Sequence, residues 1–285
     1  MAKTHDLKRR IRSIKNTMQV TKAMKMVSAA RLRRAQERIL ATRPFTQAMV
    51  KVLSSLAVRA NAERHPLLEQ REIRRTQLIV VTSDRGLCGS FNANAIKAAG
   101  AFFASRAGEP IILMTVGRRG RDFARRRRVP ITAEWLDVFR SLEFGTAQQI
   151  ADDVIERFVK RDVDAVYIVF NEFKSVVSQK PVVEQILPIP RAELVASDVA
   201  EDYIYEPAPE PLLDAILPGY VRLRVWGALL ESAAAEHAAR MTAMDAATKN
   251  ATDLTEALTL HMNRVRQASI TTEIIEVVSG AAALG

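Results

Sequence analysis

The chain has 285 residues, 48% of them hydrophobic, so it is long enough to bury a core and is not a disordered tail. Its single cysteine, Cys88, excludes an internal disulfide and a cysteine-cluster metal site, and the four histidines lack metal-ligand spacing. The longest apolar runs fall far short of the roughly 20 residues that span a bilayer. We therefore expect no metal, no cofactor and no membrane-spanning helix.

The two ends of the chain carry opposite charge, although the net charge is +10. Residues 1–75 hold 19 Lys and Arg against 5 Asp and Glu, whereas residues 201–285 hold 6 against 12. Such asymmetry indicates either that the ends pair with each other or that the basic end meets an acidic partner.

The first predicted element is a long helix within residues 1–60. From Asp6 to about Arg59 there is no glycine and a single proline, Pro44, which predicts a bend. Apolar or small residues recur at spacings of three and four, with a gap occupied by Thr21 and Lys25. The positions in this pattern are Leu7, Ile11, Ile14, Met18, Ser28, Leu32, Ala35 and Ile39.

A second pattern occupies residues 75–205. The short β-branched runs TQLIVVTS, PIILMTVG and DAVYIVFN alternate with helical stretches at about 90–107 and 144–160, and KPVVEQILPIP adds an edge strand. This alternation predicts a Rossmann-like α/β domain with a mostly parallel sheet.

The first strand of that domain runs into a glycine-bearing corner, VVTSDRGLCGSFNANAI. Phosphate loops of nucleotide enzymes add a lysine and a hydroxyl to their glycines, but here Gly86 and Gly89 are followed by Ser90, Phe91 and Asn92. The corner is therefore more consistent with a structural turn. A small-nucleotide enzyme that uses Ser83 to Asn92 stays the weakest hypothesis.

A second long helix is predicted within residues 210–285. We interpret the proline-rich acidic stretch from Tyr205 to Tyr220 as a loop, after which Val221 to about Val278 contains no proline. Residues at alternating steps of three and four form a heptad seam, which is typical of a helix that lies along another helix. The seam is Met241, Met244, Thr248, Ala251, Thr255, Leu258, Met262 and Val265.

Basic clusters are the strongest charged signal, and no catalytic triad or carboxylate pair accompanies them. They cover Lys8 to Lys15, Arg31 to Arg38, Arg71 to Arg75 and Arg118 to Arg128. A nucleic-acid-binding protein with a coiled-coil arm is the second hypothesis, because phosphate neutralisation needs such charge. Aromatic residues are scarce in these clusters, which favours an acidic protein surface as the partner.

Three stretches resemble the signature regions of the gamma subunit of F-type rotary ATP synthase. They are IRSIKNTMQVTKAMKMVSAARLRRAQ (Ile11 to Gln36), TSDRGLCGSFN (Thr82 to Asn92) and the segment from Ser232 to Leu284, in the order that the family has. The resemblance implies an α/β fold in which the N- and C-terminal helices form a long antiparallel coiled coil around an inserted domain.

The resemblance also implies partners and a location. The coiled coil is expected to penetrate a ring of three alpha and three beta subunits, and the α/β domain to form a foot on the epsilon subunit and the proteolipid c-ring. The chain would then transmit torque without a catalytic residue. It would lie peripherally on the cytoplasmic side of a bacterial plasma membrane.

Contact residues for the beta subunits follow from the same resemblance. It marks Met24 and Lys25, with Lys22 nearby, as one half of a coupling neighbourhood. Its other half is RQASIT, which gives Arg266, Gln267 and Thr271. Arg31, Arg33 and Arg34 are an additional prediction, as electrostatic contacts with acidic beta segments.

Two departures from the family pattern concern regulation. Chloroplast relatives carry an inserted cysteine pair, which this chain lacks, so redox switching is not expected. The run Arg125 to Arg128 matches no signature, and either anionic lipid or the epsilon subunit could be its partner.

Overall fold

The structure is a computed structural model that describes residues 2–59, 65–190 and 208–284. Within these ranges five α-helices surround one sheet of five strands. The helices are α1 (Ala2–Arg59), α2 (Phe91–Ser105), α3 (Arg118–Arg127), α4 (Phe144–Val159) and α5 (Pro209–Leu284). The strands are β1 (Thr76–Val81), β2 (Ile111–Val116), β3 (Ile131–Trp135), β4 (Ala165–Phe173) and β5 (Gln179–Leu187).

The chain divides into two compact units. The first, which we call the helix-pair unit, consists of Met1–Ser28 and Met241–Gly285. The second, the sheet unit, consists of Ala29–Arg240. No described helix is long and apolar enough to cross a bilayer.

The sheet has the strand order β3-β2-β1-β4-β5. β1 pairs in parallel with both β2 and β4, β2 pairs in parallel with β3, and β5 is an antiparallel edge strand. All six residues of β1 are buried, because a central parallel strand is covered on both faces and its Leu, Ile and Val side chains suit that position. The Rossmann-like α/β part of the predicted fold class is thereby confirmed.

Alternate residues of β1 enter different parts of the core. Ile79 and Val81 pack with residues of α4 and with the parts of α1 and α5 that belong to the sheet unit, whereas Leu78 and Val80 pack with residues of α2 and α3. This alternation follows from the two-residue period of a strand. The sheet is therefore covered on one face by α1, α4 and α5 and on the other by α2 and α3.

The helix-pair unit is an antiparallel coiled coil. The hydroxyls of Thr21 and Thr248 lie 2.8 Å apart, and the Thr252 hydroxyl lies 3.4 Å from the Met18 sulfur, so α1 and α5 run in opposite directions. The gap in the predicted seam of α1 is thus filled by polar contacts, because Lys25 also forms an ion pair with Asp245. Most of the predicted seam residues are half-buried here, and Met244 and Ala251 are buried.

The predicted loop from Tyr205 to Tyr220 is wrong from Pro209 onward, because α5 already begins there. Proline costs little in the first turn of a helix, where the backbone N–H groups lack an intrahelical partner in any case. Leu213, Leu217 and Tyr220 are buried in the core of the sheet unit, and this packing outweighs the cost of Pro218 inside the helix.

Candidate partner-contact surfaces

The predicted contact residues near the start of the chain lie on α1 in the helix-pair unit. Lys22 is exposed and Met24 is half-buried. Lys25 donates to Asp245 across the helix pair, with 43% of its side chain and 61% of that of Asp245 exposed. Since both side chains remain exposed to solvent, the ion pair is weak enough for the Lys25 ammonium to exchange Asp245 for another carboxylate.

The predicted contact residues near the end of the chain lie on α5. Arg266, Gln267 and Thr271 are all exposed. The Thr271 hydroxyl donates to the backbone carbonyl of Gln267 at 3.0 Å, so it is directed toward its own helix. Arg266 and Gln267 consequently offer the freer polar groups of this set.

The structure does not bring Met24 and Arg266 together, so the expected single neighbourhood is wrong. Arg266 lines a cavity of about 400 Å³ with Thr4, His5 and Lys8. That segment of α1 lies roughly 24 to 30 Å from Met24 at 1.5 Å per helical residue. The two predicted sets therefore lie at separate places along one helix pair.

Arg31, Arg33 and Arg34 belong to the sheet unit and are exposed on α1. Arg33 pairs with Glu37 one turn further on, at 3.1 Å. Arg31 and Arg34 instead line a cavity together with Arg38, Arg140 and His237. These two arginines thus have a polar surrounding that the sequence reading did not identify.

Several other arginines of the basic clusters are engaged within the sheet unit. Arg71 pairs with Asp164 at 3.1 Å and donates to the carbonyl oxygens of Phe158 and Val163. In the last cluster Arg125 pairs with Glu134 at 2.9 Å. Charges that hold the fold together are not available to phosphates, which weakens the nucleic-acid hypothesis.

The described backbone of the corner after β1 does not form a glycine-rich phosphate loop. The backbone N–H of Ser83 donates to the side-chain oxygen of Asn92 at 2.9 Å, and the Asp84 carboxylate accepts from the backbone N–H of Arg118 at 3.0 Å. The left-handed backbone at Gly89, with φ of 53°, completes the turn. The backbone N–H of Ser83 and the Asp84 carboxylate are thus used to join β1, α2 and α3.

The cysteine of this corner has a structural environment. Cys88 is 2% exposed, and the Asn92 amide lies 3.1 Å from its sulfur. Burial raises the pKa of the Cys88 thiol, with Ser83 and Arg240 partly offsetting that effect. A neutral buried thiol is a poor nucleophile. In the described part of the chain no group of His, Cys, Asp and Glu could hold a metal ion.

Sequence reasoning also missed a buried polar cluster on α5. Glu236, His237 and Arg240 are 5%, 7% and 9% exposed, and Arg240 donates to Glu236 at 2.6 Å. Burial lowers the pKa of His237 to about 4, with help from the Arg240 and Arg31 charges. The signal for this cluster was the four-residue spacing of Glu236 and Arg240 within a run of alanines.

The last turns of α5 carry exposed apolar side chains. Ile274, Ile275, Val277 and Val278 are 57–72% exposed. A row of exposed large apolar residues on a helix indicates a surface that a partner covers.

This arrangement defines a class of protein: a subunit whose terminal helices form an antiparallel coiled coil and whose middle segment forms an inserted α/β domain. A family model described as ATP synthase matches residues 3–284. The chain is 52% identical over 282 residues to the ATP synthase gamma chain of Solibacter usitatus, with 98% of each chain covered. It is 48% identical over 289 residues to that of an Anaeromyxobacter species, with 100% of each covered. The chain belongs to the ATP synthase gamma chain family.

Solved structures agree with this assignment. A chain in the central stalk and c-ring structure of the Tetrahymena thermophila mitochondrial ATP synthase is 27% identical, with a TM-score of 0.61 over 80% of this chain and 99% of that one. A chain of the Euglena gracilis mitochondrial ATP synthase is 20% identical, with a TM-score of 0.71 over 99% and 95%. The second match shows the fold alone.

Proposed function

We propose that the chain is the central rotor subunit of an F-type ATP synthase and carries torque from a membrane ring to catalytic alpha and beta subunits. The observation that carries this proposal is the antiparallel pairing of α1 and α5 at Thr21 and Thr248, in a chain of this family. The family assignment also supports this role over nucleic-acid binding.

The physical properties of the helix-pair unit suit a shaft. A continuous hydrogen-bonded helix pair resists bending, whereas its contacts with a surrounding sleeve have to be weak enough to exchange. Exposed ion pairs contribute about 1 kcal/mol or less each, so lysine and arginine contacts release readily. The exposed apolar residues near Val277 offer non-directional contacts that allow sliding.

The proposed partners follow from the resemblance and the relatives. Three alpha and three beta subunits surround the helix pair, and the sheet unit meets the epsilon subunit and the proteolipid c-ring. The chain itself is non-catalytic, which the closed corner after β1 supports. Its proposed place is peripheral, on the cytoplasmic side of a bacterial plasma membrane.

Co-expression with alpha and beta subunits tests the assignment. The expected result is a complex of three alpha, three beta and one copy of this chain, with ATP hydrolysis that the chain alone lacks. Native mass spectrometry gives the stoichiometry. Failure to form a defined complex, or ATP hydrolysis by the purified chain at enzyme-like rates, would contradict the proposal.

A double change tests the proposed contacts of α5 with the beta subunits. Arg266→Ala with Gln267→Leu removes two exposed polar groups, so assembly should survive while coupled turnover falls. Lys249→Ala with Asn250→Leu is a matched control, because it also removes one cation and one amide from exposed neighbours on α5. If the first pair leaves both ATP synthesis and proton-driven coupling intact, the assignment of this contact surface fails.

The contacts of α1 are proposed separately. Lys22, Met24 and Lys25 form one surface in the helix-pair unit, and Arg31, Arg33 and Arg34 form another in the sheet unit. Lys22→Ala is the cleanest probe, because this lysine is exposed. We expect lower coupled turnover at unchanged assembly, and a rate equal to that of the parent complex would remove Lys22 from the contact.

A further inference from the structure

The sheet unit contains a cavity of about 250 Å³ beyond the carboxyl ends of its parallel strands. Arg85 follows β1 and Arg140 follows β3, while Arg31 of α1 and Arg240 of α5 close the other sides. Ligands of open α/β sheets bind at this edge, outside the carboxyl ends of the strands. The position is therefore the one at which such a fold most readily forms a binding site.

The lining of this cavity has a formal excess of one positive charge. Four arginines face three acidic residues, Asp84, Asp137 and Glu236. Two of the acids are already engaged, since Asp84 accepts from the backbone N–H of Arg118 and Glu236 accepts from Arg240. Among the described residues, no carboxylate lies within ion-pair distance of Arg31, Arg85 or Arg140. Three guanidinium groups are thus available to a negative ligand.

An adjoining cavity extends the same surface. It holds about 240 Å³, shares Arg31, Phe139, Arg140 and His237 with the first, and adds Arg34 and Arg38. Of these two additional arginines, Arg38 is engaged, because it donates to the backbone carbonyl of Leu142 at 2.9 Å. The adjoining cavity therefore reinforces the positive potential and contributes no carboxylate.

The buried wall of the cavity contains two polar atoms that lack a partner in the described part of the chain. They are Nδ1 of His237 and Oε2 of Glu236, in side chains that are less than 10% exposed. Buried polar atoms are rarely left without a hydrogen bond, so Nδ1 of His237 is a candidate donor to a ligand, whereas Oε2 of Glu236 can only accept, from the hydroxyl of a hydrogen phosphate ion. A neutral imidazole can carry its proton on Nδ1 and donate it to an anion.

Size distinguishes between ligands that share phosphate chemistry. Sites for drug-sized ligands and cofactors have volumes of about 300 to 1,000 Å³. By itself the cavity of about 250 Å³ is smaller than these and holds a single oxyanion, whereas a nucleotide would also have to fill the adjoining cavity of about 240 Å³. Guanidinium groups present paired N–H donors that match the oxygens of such an ion, which chloride cannot use in the same way.

We propose that this cavity binds one inorganic phosphate ion, held by Arg31, Arg85 and Arg140 against the His237 wall. The ion bridges α1, the corner after β1, the turn after β3 and α5. Because it binds the folded sheet unit, it stabilises that unit by RT ln(1 + c/Kd), where c is the phosphate concentration. The sheet unit is therefore sensitive to phosphate concentration, independently of its role in a rotor.

Calorimetric titration of the purified full chain with phosphate, against chloride at matched ionic strength, tests the site. We expect saturable binding of one phosphate, weakened roughly tenfold by Arg85→Gln or Arg140→Gln, as for the loss of one charge-assisted hydrogen bond. Arg126→Gln is the matched control, because Arg126 is an exposed arginine of α3 that does not line the cavity. It should leave the affinity unchanged.

A second measurement needs no variant. In a phosphate titration of the unaltered chain, the ring resonances of His237 should shift, and those of exposed His261 should not. Phosphate that binds no better than chloride, equal weakening by Arg126→Gln, or unmoved His237 resonances would overturn the proposal. Tighter binding of ADP than of phosphate, lost in Arg140→Gln, would also overturn it in favour of a nucleotide.

Discussion

Each of the two units is stabilised internally by a different kind of contact. In the sheet unit, the side chains of β1 and of Phe158, Ile150 and Leu187 are fully buried. In the described part of the helix-pair unit the buried residues are Thr21, Ser28, Met244 and Ala251, and the other large apolar residues of the seam are only half-buried. Hydrophobic burial contributes about 25 cal/mol per Å², so the helix pair gains less from its own seam than the sheet unit gains from its core.

The two units also differ in the share of large apolar side chains that they expose to solvent. Among the described residues, nine large apolar residues are exposed in the sheet unit and ten in the much shorter helix-pair unit, where Val20, Met26, Leu260 and Val277 are 58–72% exposed. A segment that buries little within itself and exposes apolar residues depends on a partner for its stability. This difference suits a foot that folds by itself and a shaft that the complex surrounds.

The largest effect is expected from a core truncation in the sheet unit. Phe158 is fully buried and lies 4.2 Å from the Arg71 guanidinium, so Phe158→Ala should lower the free energy of unfolding by about 3–5 kcal/mol. Urea unfolding followed by tryptophan fluorescence measures it, because Trp135 and Trp226 both belong to this unit. Leu260→Ala, at a residue that is 62% exposed in the helix-pair unit, is the control. If Phe158→Ala and Leu260→Ala lowered the free energy of unfolding equally, the two units would not differ in how they are stabilised.

A pH-dependent effect of the next size is expected from His237. Its pKa is lowered from 6.5 to about 4, so between these values the unfolded chain binds the proton and the folded chain does not. Stability is therefore fully present above pH 6.5 and is lost as the pH falls toward 4. Between pH 7 and 4.5 the parent should lose roughly 2–3 kcal/mol more than His237→Gln.

Denaturant unfolding at each pH checks this prediction, with His261→Gln as the control at an exposed histidine of the helix-pair unit. The charged groups that act on His237 are Arg31 and Arg240. Parallel pH profiles for the parent and His237→Gln would show that His237 does not titrate as a buried, neutral group.

A smaller effect is expected at the polar contact in the seam. Thr21→Val or Thr248→Val alone removes the contact across the helix pair, while the remaining hydroxyl keeps its bond to a carbonyl of its own helix, so each change should cost about 0.5–1 kcal/mol. The double change should cost less than the sum of the two single changes, because each single change already removes the same contact. Amide hydrogen exchange of α5 near Thr248 gives the local free energies. Strict additivity would mean that the two hydroxyls do not interact.

The smallest effect is expected at the ion pair of Lys25 with Asp245. Because both side chains are largely exposed, Asp245→Asn should change local stability by less than about 0.5 kcal/mol, as measured by the same exchange. If Lys25 contacts a beta subunit, Lys25→Ala should lower coupled turnover in the complex and Asp245→Asn should not. Similar losses for both would assign Lys25 to the helix pair alone.

The sequence predicted the elements whose residues repeat with a clear period. Spacings of three and four located the seam of both terminal helices, and β-branched runs located the strands around Leu78, Leu113 and Ile168. These signals suffice because they record which side of an element is buried. The fold class followed from their order along the chain.

Other features depend on contacts between residues that are distant in the sequence. The spacing of apolar residues along the sequence does not predict such contacts. The polar contact of Thr21 with Thr248 requires the register of both helices, and the helical start at Pro209 depends on burial of Leu213 in the sheet unit. Met24 and Arg266 were expected together because both match motifs of one family. The antiparallel register places them apart, because Lys25 meets Asp245.

We propose that the two helices of the helix-pair unit turn as one body inside the alpha and beta subunits. Thr21→Cys with Thr248→Cys can test it, because hydroxyls 2.8 Å apart place the two positions close enough for a disulfide. In a single-molecule rotation assay of the assembled complex, oxidation should link α1 to α5 and leave rotation and ATP turnover unchanged. Rotation that stops on oxidation and resumes on reduction, while the Thr21→Cys complex keeps turning, would contradict it.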